Sequence, residues 1–169
     1  MKMNKLILSL IALAMASSVT SFAQSTIAHI NTQELIEAMP EMQSARTEIE
    51  KLAKSYENDI QTMASELQNK VKVYDSEADS QTEDENRKRI EEVQGMEQSI
   101  RQFQGQAQQD IAQKENELLE PILKKAKDAV VKVAKALGYT YVLDTTPGSG
   151  VILADGKNLM ADVKKELGF

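Results

Sequence analysis

Few side chains in this chain of 169 residues have the types and spacing that catalysis or metal binding requires. The sequence contains no cysteine, which excludes thiol catalysis, a zinc–cysteine site and disulfides, and His29 is its single histidine. His29 lies in an apolar stretch, where a packed side chain is expected more often than a ligand. Asp144 follows a predicted strand but has no identifiable polar partner, and an aspartate there usually caps a turn. The sequence therefore predicts neither catalytic residues nor an enzyme.

The remaining polar motifs are poor candidates for phosphate or metal binding. The glycine-containing segment 146–150 lacks the lysine and the following helix of a phosphate-binding loop. The acidic pairs 84–85 and 91–92 are adjacent residues on a predicted helix, where neighbouring side chains point about 100° apart, so they offer only loose cation binding. We predict no cofactor and no metal site, which leaves shape, apolar surface and charge as the functional features.

Residues 1–23 have the pattern of a secretory signal peptide. Lys2 and Lys5 precede an apolar run of 11 residues, and Ala23 ends the small-residue motif at which signal peptidase cleaves. The run is too short to span a bilayer. We expect cleavage before Gln24, which leaves a mature chain of 146 residues with 26 acidic and 18 basic side chains. Its net charge of −8 disfavours nucleic-acid binding.

Two long helical runs are predicted on either side of a polar segment at residues 75–81. The first starts at a capping box in residues 31–34 and continues to about Tyr74. The second starts at a capping box in residues 82–85 and ends at Gly138, a residue type that commonly terminates helices. Both runs exceed 40 residues, far more than helices in globular domains, so they favour an antiparallel helical hairpin.

The hairpin is expected to form an arm from residue 46 to residue 120, with its tip near residues 75–82. At about 1.5 Å per residue, the arm extends roughly 50 Å. Pro40 lies near the start of the first helix, where a small break costs least. Pro121 lies inside the second helix, and we expect it to kink or restart that helix.

Apolar residues in both helices recur in columns with an 11-residue period, such as Ile49 and Ile60. This period gives about 3.67 residues per turn and favours straight or slightly right-handed pairing of the helices. Val73 lies nearly opposite the paired face, and Phe103 and Leu119 lie at its flanks, so these three are candidates for contacts outside the hairpin. The predicted inter-helix seam comprises Ile49, Leu52, Tyr56, Ile60, Met63, Leu67, Val71, Met96, Ile100, Ala107, Ile111 and Leu118.

The two ends of the mature chain, residues 24–45 and 121–169, are predicted to form one small body. These roughly 71 residues cannot easily bury a stable core alone, and open strand edges invite pairing with other copies. The expected elements are strands at 26–31, 139–144 and 151–154 and a helix at 158–167. The residues expected in oligomerisation are Ile27, Ile30, Val142, Leu143, Val151 and Leu153.

Charge is divided unevenly between the arm and the body. Residues 46–120 carry 18 acidic and 10 basic side chains, whereas the two body segments together carry eight of each. The arm is therefore acidic and the body neutral. A solvated helix face explains this charge most simply, and a specific electrostatic role is the alternative.

The order of these features resembles the Skp/OmpH family of periplasmic chaperones for outer-membrane proteins. The resemblance covers essentially the whole mature chain: it begins at residues 27–31, continues through the acid- and glutamine-rich hairpin, and closes with residues 141–144 and 158–163. The sequence departs from the family in its acidic arms, since the best-known members are basic. It also departs at residues 158–160, although Asn158 preserves the helix-capping role.

The resemblance implies an α+β fold in which a long antiparallel α-helical hairpin projects, as a coiled-coil arm, from a small β-body completed by trimerisation. The arms of the homotrimer would hold unfolded outer-membrane β-barrel proteins in the periplasm without ATP. The acidic arms argue against direct binding of a membrane or of lipopolysaccharide. The alternative is a structural or adaptor coiled-coil protein of the cell envelope, which binds a folded partner and has no affinity for unfolded chains.

Overall fold

The structure is a computed structural model that describes residues 26–169, and the predicted signal peptide lies outside them. The described chain is mostly helical, with a long helical arm and a small region of strands, as the sequence predicts. In chain order the elements are β1 (Ile27–Ile30), α1 (Thr32–Ala38), α2 (Pro40–Glu77), a 3-10 turn (Ala78–Ser80), α3 (Glu83–Ala136), β2 (Tyr141–Asp144), β3 (Lys157–Asn158) and α4 (Met160–Leu167).

The first predicted helix is divided in two at Met39. Asn31 caps α1, since its side-chain oxygen accepts a hydrogen bond from the Glu34 backbone N–H at 3.0 Å. Met39 adopts an extended backbone, and Pro40 begins α2. Proline is well suited to a first helical position, because the N–H that it lacks would have no partner there.

The tip of the hairpin is shorter than predicted. Helix α2 continues to Glu77, three residues beyond the expected end, and the turn follows at once. The Thr82 hydroxyl accepts a hydrogen bond from the Glu85 backbone N–H at 3.2 Å, which caps α3 as predicted. The Asn86 side chain donates to the Ala78 carbonyl at 2.9 Å and so fastens the turn to α3.

The sequence predicts a kink or a restart of the second helix at Pro121, and the structure shows no restart. Helix α3 runs without interruption from Glu83 to Ala136 and contains Pro121 in its interior. A proline there removes one backbone hydrogen bond. The next turns bury Ile122 and Ala126 in the core, and this packing holds the segment helical despite the lost bond.

The three strands form one parallel sheet in the order β2-β1-β3. The predicted strand at 151–154 is wrong, because this segment is irregular and the third strand is Lys157–Asn158. Both positions beside β1 are filled by β2 and β3, so the segment has no place next to the central strand. Its apolar side chains remain in solvent, with Ile152 101% and Leu153 82% exposed.

The hydrophobic core lies entirely at the base of the arm. From residue 46 to residue 106 no residue is fully buried, so most of the arm is a pair of helices without a core of its own. At 1.5 Å per residue, this pair extends about 50 Å from the base. The core cluster consists of Ala28, Ile30, Leu35, Met39, Ala45, Ile122, Ala126, Ala129, Val133, Ala134, Leu159 and Val163.

Candidate functional site

The contact between α2 and α3 is made by half-buried side chains. Ala107 is buried, and the other eleven residues of the predicted seam have intermediate exposure. A two-helix layer can cover only one side of each residue, so every predicted seam position except Ala107 remains partly exposed to solvent. The arm is therefore a long surface with apolar groups close to water along its length.

A polar cluster joins the helices near the middle of the arm. The Tyr56 hydroxyl donates to Asp110 Oδ2 at 2.6 Å, and the Gln106 side chain donates to Asp110 Oδ1 at 2.7 Å. The hydrogen bond to Asp110 raises the pKa of Tyr56, and the same bond lowers the pKa of Asp110. The Phe103 ring packs edge-on against Tyr56 with ring centroids 5.6 Å apart, so Phe103 also contributes to the contact between the helices.

Nearer the tip, a charged residue occupies the inter-helix contact. The side chain of Arg89 is only 14% exposed; it bonds Glu77 at 2.9 Å and lies over the Tyr74 ring at 4.5 Å. Lys70 and Tyr74 both donate to the Glu92 carboxylate. These two hydrogen bonds lower the pKa of Glu92, and the bond from Lys70 has the larger effect. These contacts link α2 to α3 through ion pairs, hydrogen bonds and the stacking of a guanidinium on an aromatic ring.

The candidate outward residues differ in exposure. Val73 is 49% exposed, whereas Phe103 and Leu119 are half-buried. The structure adds Ile90, which is 59% exposed near the tip and was absent from the sequence predictions. Helical periodicity alone does not decide between the adjacent residues Arg89 and Ile90 for the inter-helix position.

At the base, one face of the sheet is covered by helices and the other is open. Paired residues of neighbouring parallel strands share a face, so Ile27 and Tyr141 lie together on the open side with Leu143, and all three are exposed. Val142 and Val151 are half-buried, and Leu153 is exposed. Ile30 alternates to the covered side and is buried in the core of its own chain, so it supports the sheet from within and offers no surface to a second copy.

Asp144 caps the loop after β2, as predicted, and also joins it to the start of α1. Its carboxylate accepts hydrogen bonds from the backbone N–H of Thr32 at 3.2 Å and of Thr146 at 2.9 Å, and from both hydroxyls. Burial alone would raise the pKa of Asp144, but these hydrogen bonds outweigh it and lower the pKa to about 2. This carboxylate is held ionised and fully engaged, which suits a structural role.

The single histidine, His29, also has a structural role. His29 Nε2 lies 3.1 Å from the Gly156 carbonyl oxygen, which attaches the loop before β3 to the sheet. Within residues 26–169, no group of three acidic or histidine side chains is arranged to hold a metal ion. None of the helices in the same range has the length and apolarity needed to cross a membrane.

Ion pairs between the helices neutralise only part of the acidic charge. Lys114 bonds Glu48 at 2.7 Å, and Lys125 bonds Glu41 at the base. Such exposed pairs contribute little to stability. Because the segment 46–120 has 18 acidic and only 10 basic side chains, most of its surface potential is negative.

Comparison with known proteins gives consistent matches along the chain. Residues 26–167 match the family described as outer membrane protein (OmpH-like). Chaperone protein Skp of Pectobacterium atrosepticum is 27% identical over 160 residues, which cover 93% of this chain and 94% of that protein. Chaperone protein Skp of Photorhabdus luminescens is 25% identical over 155 residues, which cover 92% of this chain and 93% of that protein.

The fold has a counterpart among solved structures. The crystal structure of an OmpH-like protein from Caulobacter crescentus superposes with a TM-score of 0.77 over 85% of this chain and 83% of that one. The sequences are only 12% identical in this comparison, so the likeness concerns the fold alone.

Proposed function

The chain belongs to the family described as outer membrane protein (OmpH-like), and we propose that it is an ATP-independent holdase chaperone of the periplasm. Its clients are unfolded outer-membrane β-barrel proteins, which it holds between its helical arms and protects from aggregation. The similarity to proteins named chaperone protein Skp supports the general activity. Its location in the periplasm is supported by the signal-peptide pattern of residues 1–23.

The observation that carries this proposal is the arm without a buried core. From residue 46 to residue 106 every side chain retains some solvent contact, over a length of about 50 Å. Strands of outer-membrane barrels alternate apolar and polar residues, so an unfolded client has many weakly apolar stretches and no fixed shape. A long surface with dispersed apolar groups can contact such a chain at many points without imposing one conformation.

Three copies are proposed to assemble through the body and so place three arms around one client. The open sheet face with Tyr141 and Leu143 and the exposed segment 151–154 are the surfaces that such an assembly would cover. Two outer strand edges, on β2 and β3, are free to pair with strands of other copies. Ile27, Val151 and Leu153 are the further residues proposed for this interface, together with Val142, whose half-buried side chain lies on the covered face beside Ala28.

On the arm, Val73, Phe103 and Leu119 are the proposed client contacts. Val73 offers the largest exposed fraction of the three, and Phe103 offers the part of its ring that Tyr56 leaves uncovered. The negative potential of the arm disfavours lipopolysaccharide and anionic membranes as direct ligands. The acidic surface also keeps the arms apart and soluble when no client is bound.

The test is suppression of aggregation. A urea-denatured outer-membrane β-barrel protein is diluted into buffer with the mature chain, with no protein, or with an equal mass of serum albumin, and light scattering is followed at several salt concentrations. We expect the mature chain to suppress scattering at about one trimer per client without ATP. Failure to suppress scattering at any salt concentration would contradict the proposal and favour an adaptor coiled coil with a folded partner.

A further inference from the structure

A groove of about 500 Å³ lies between α2 and α3 close to the tip of the arm. Its lining is mixed: Val71, Ala78, Val93 and the Tyr74 ring form the apolar part, and the side chains of Asn86 and Gln94 are among the polar ones. Ile90 also lines the groove and is 59% exposed, which makes it one of the most exposed large apolar residues of the arm. The groove exists because Arg89 takes the inter-helix position beside Ile90 and leaves the isoleucine at the surface.

The rim of this groove is negative. Asp75 and Glu97 both line it; Glu97 pairs with Arg101 at 3.7 Å, and within the described residues Asp75 takes part in no ion pair. The one basic side chain in the lining, Arg89, is already neutralised by Glu77 and stacked on Tyr74. Residues 70–101, which include Lys70 paired with Glu92 and Arg101 paired with Glu97, contain nine acidic and six basic side chains, so the net charge around the groove is −3.

We propose that this tip groove binds a particular class of client segment: an aliphatic or aromatic side chain flanked by lysine or arginine. The apolar side chain fills the space beside Ile90, and the flanking cations face the carboxylates of the rim. This inference rests on the proposed function, because the occupant is a stretch of unfolded polypeptide. It goes further by assigning a sequence preference to one place on the arm.

Charge complementarity distinguishes this occupant from the others that an apolar groove admits. A second copy of the tip carries the same net charge of −3, so two tips repel each other. An anionic lipid is repelled by the same carboxylates. A basic and apolar segment gains from both parts of the groove, and the negative field also accelerates its arrival.

The preference should be modest, in keeping with a holdase that must release its client. Two exposed ion pairs contribute about 0.2–1 kcal/mol each, which corresponds to roughly a two- to thirtyfold preference at low salt. The preference should fall as salt rises, because exposed charges are screened.

The experiment measures binding of short fluorescent peptides to the mature full-length chain by anisotropy. One peptide has a central Leu-Phe pair flanked by lysines, a second has the same centre flanked by glutamates, and a third keeps the lysines but has serines at the centre. We expect the first to bind at least twofold more tightly than either of the others at low salt. Equal binding of the first two peptides would overturn the proposal.

Variants of groove residues test whether the peptide preference arises in the groove. Ile90→Gln and the double variant D75N/E97Q should each weaken binding of the lysine-flanked Leu-Phe peptide at least threefold. The matched control is E115Q/E120Q, which removes the same charge from exposed positions of α3 about 27 Å or more beyond Glu97. If the control weakens binding as much as D75N/E97Q, or Ile90→Gln has no effect, the groove is not the site.

The same samples separate this proposal from the chaperone function. Aggregation of a denatured β-barrel protein is measured with the wild type and with Ile90→Gln. Intact suppression by a wild-type chain that shows no peptide preference would overturn the groove proposal alone. A peptide preference without any suppression would instead count against the chaperone function.

Discussion

The carboxylate of Asp144 accepts two hydrogen bonds from Thr32, one from the backbone N–H at 3.2 Å and one from the hydroxyl at 2.5 Å. Asp144 ends β2 and Thr32 begins α1, so this pair joins the two terminal parts of the chain at the base of the arm. The free N–H groups of a helix N-terminus favour a negative charge at this place. We infer that the pair fixes the sheet against the helices that carry the arm.

Removal of the Thr32 hydroxyl should destabilise the body. Thr32→Val preserves the shape of the side chain but loses one hydrogen bond to an ionised carboxylate, which should lower the free energy of unfolding by about 1–2 kcal/mol. Urea unfolding followed by circular dichroism measures this change. The matched control is Thr62→Val, since the Thr62 hydroxyl bonds only to a carbonyl of its own exposed helix. Equal effects of the two variants would contradict the role assigned to Thr32.

The Asp144 contribution should depend on pH with a defined sign. Its pKa is about 2 in the folded chain against an ordinary value of 3.8, so folding favours the ionised form. The stabilisation is therefore complete above about pH 4 and is lost as pH falls toward 2. We expect the difference in unfolding free energy between wild type and Asp144→Asn to shrink across this range. A difference that stays constant from pH 5 to pH 2 would show that the charge is not involved.

The bond between Tyr56 and Asp110 should hold the middle of the arm together. Tyr56→Phe keeps the aromatic contact with Phe103 but removes the hydroxyl that bonds Asp110. Hydrogen exchange should then become faster for amides in the middle of α2 and α3, with little change at the base. Tyr141→Phe is the control, because Tyr141 is 62% exposed on the open sheet face. Unchanged exchange in Tyr56→Phe would mean that ring packing alone joins the helices there.

Client capture should be distributed over several weak contacts. Val73→Gln and Leu119→Gln each remove a partly exposed apolar side chain. Each should weaken capture of an unfolded β-barrel protein roughly two- to fivefold. The effects should nearly add in the double variant. The control is Ala64→Gln, which introduces the same side chain at an exposed arm position. If both single variants capture the client as well as the control does, these residues do not belong to the proposed contact surface.

Features encoded by short stretches of sequence could be predicted well. The caps at Asn31 and Thr82 and the helix end before Gly138 depend on side chains within a few residues, and each is present in the structure. The length of the hairpin likewise follows from two uninterrupted helical runs. These features need no information about distant parts of the chain.

Features that depend on distant partners could not be predicted in the same way. The sequence of residues 151–154 favours a strand, but a strand forms only by pairing with a partner, and within the described residues the sheet is built from β2, β1 and β3 without this segment. Similarly, Arg89 rather than Ile90 faces the opposite helix because Tyr74 and Glu77 lie there to receive its guanidinium. The tip groove results from that choice, so periodicity alone did not reveal it.

The most direct test of the proposed chaperone assembly is the solution mass of residues 24–169, measured by light scattering. The mass is measured without client and again after one β-barrel protein per three chains is added from denaturant. We predict the mass of three chains alone, and a mass larger by one client, without aggregate, when the client is added. A monomer, or a trimer that leaves the client to precipitate, would contradict the account.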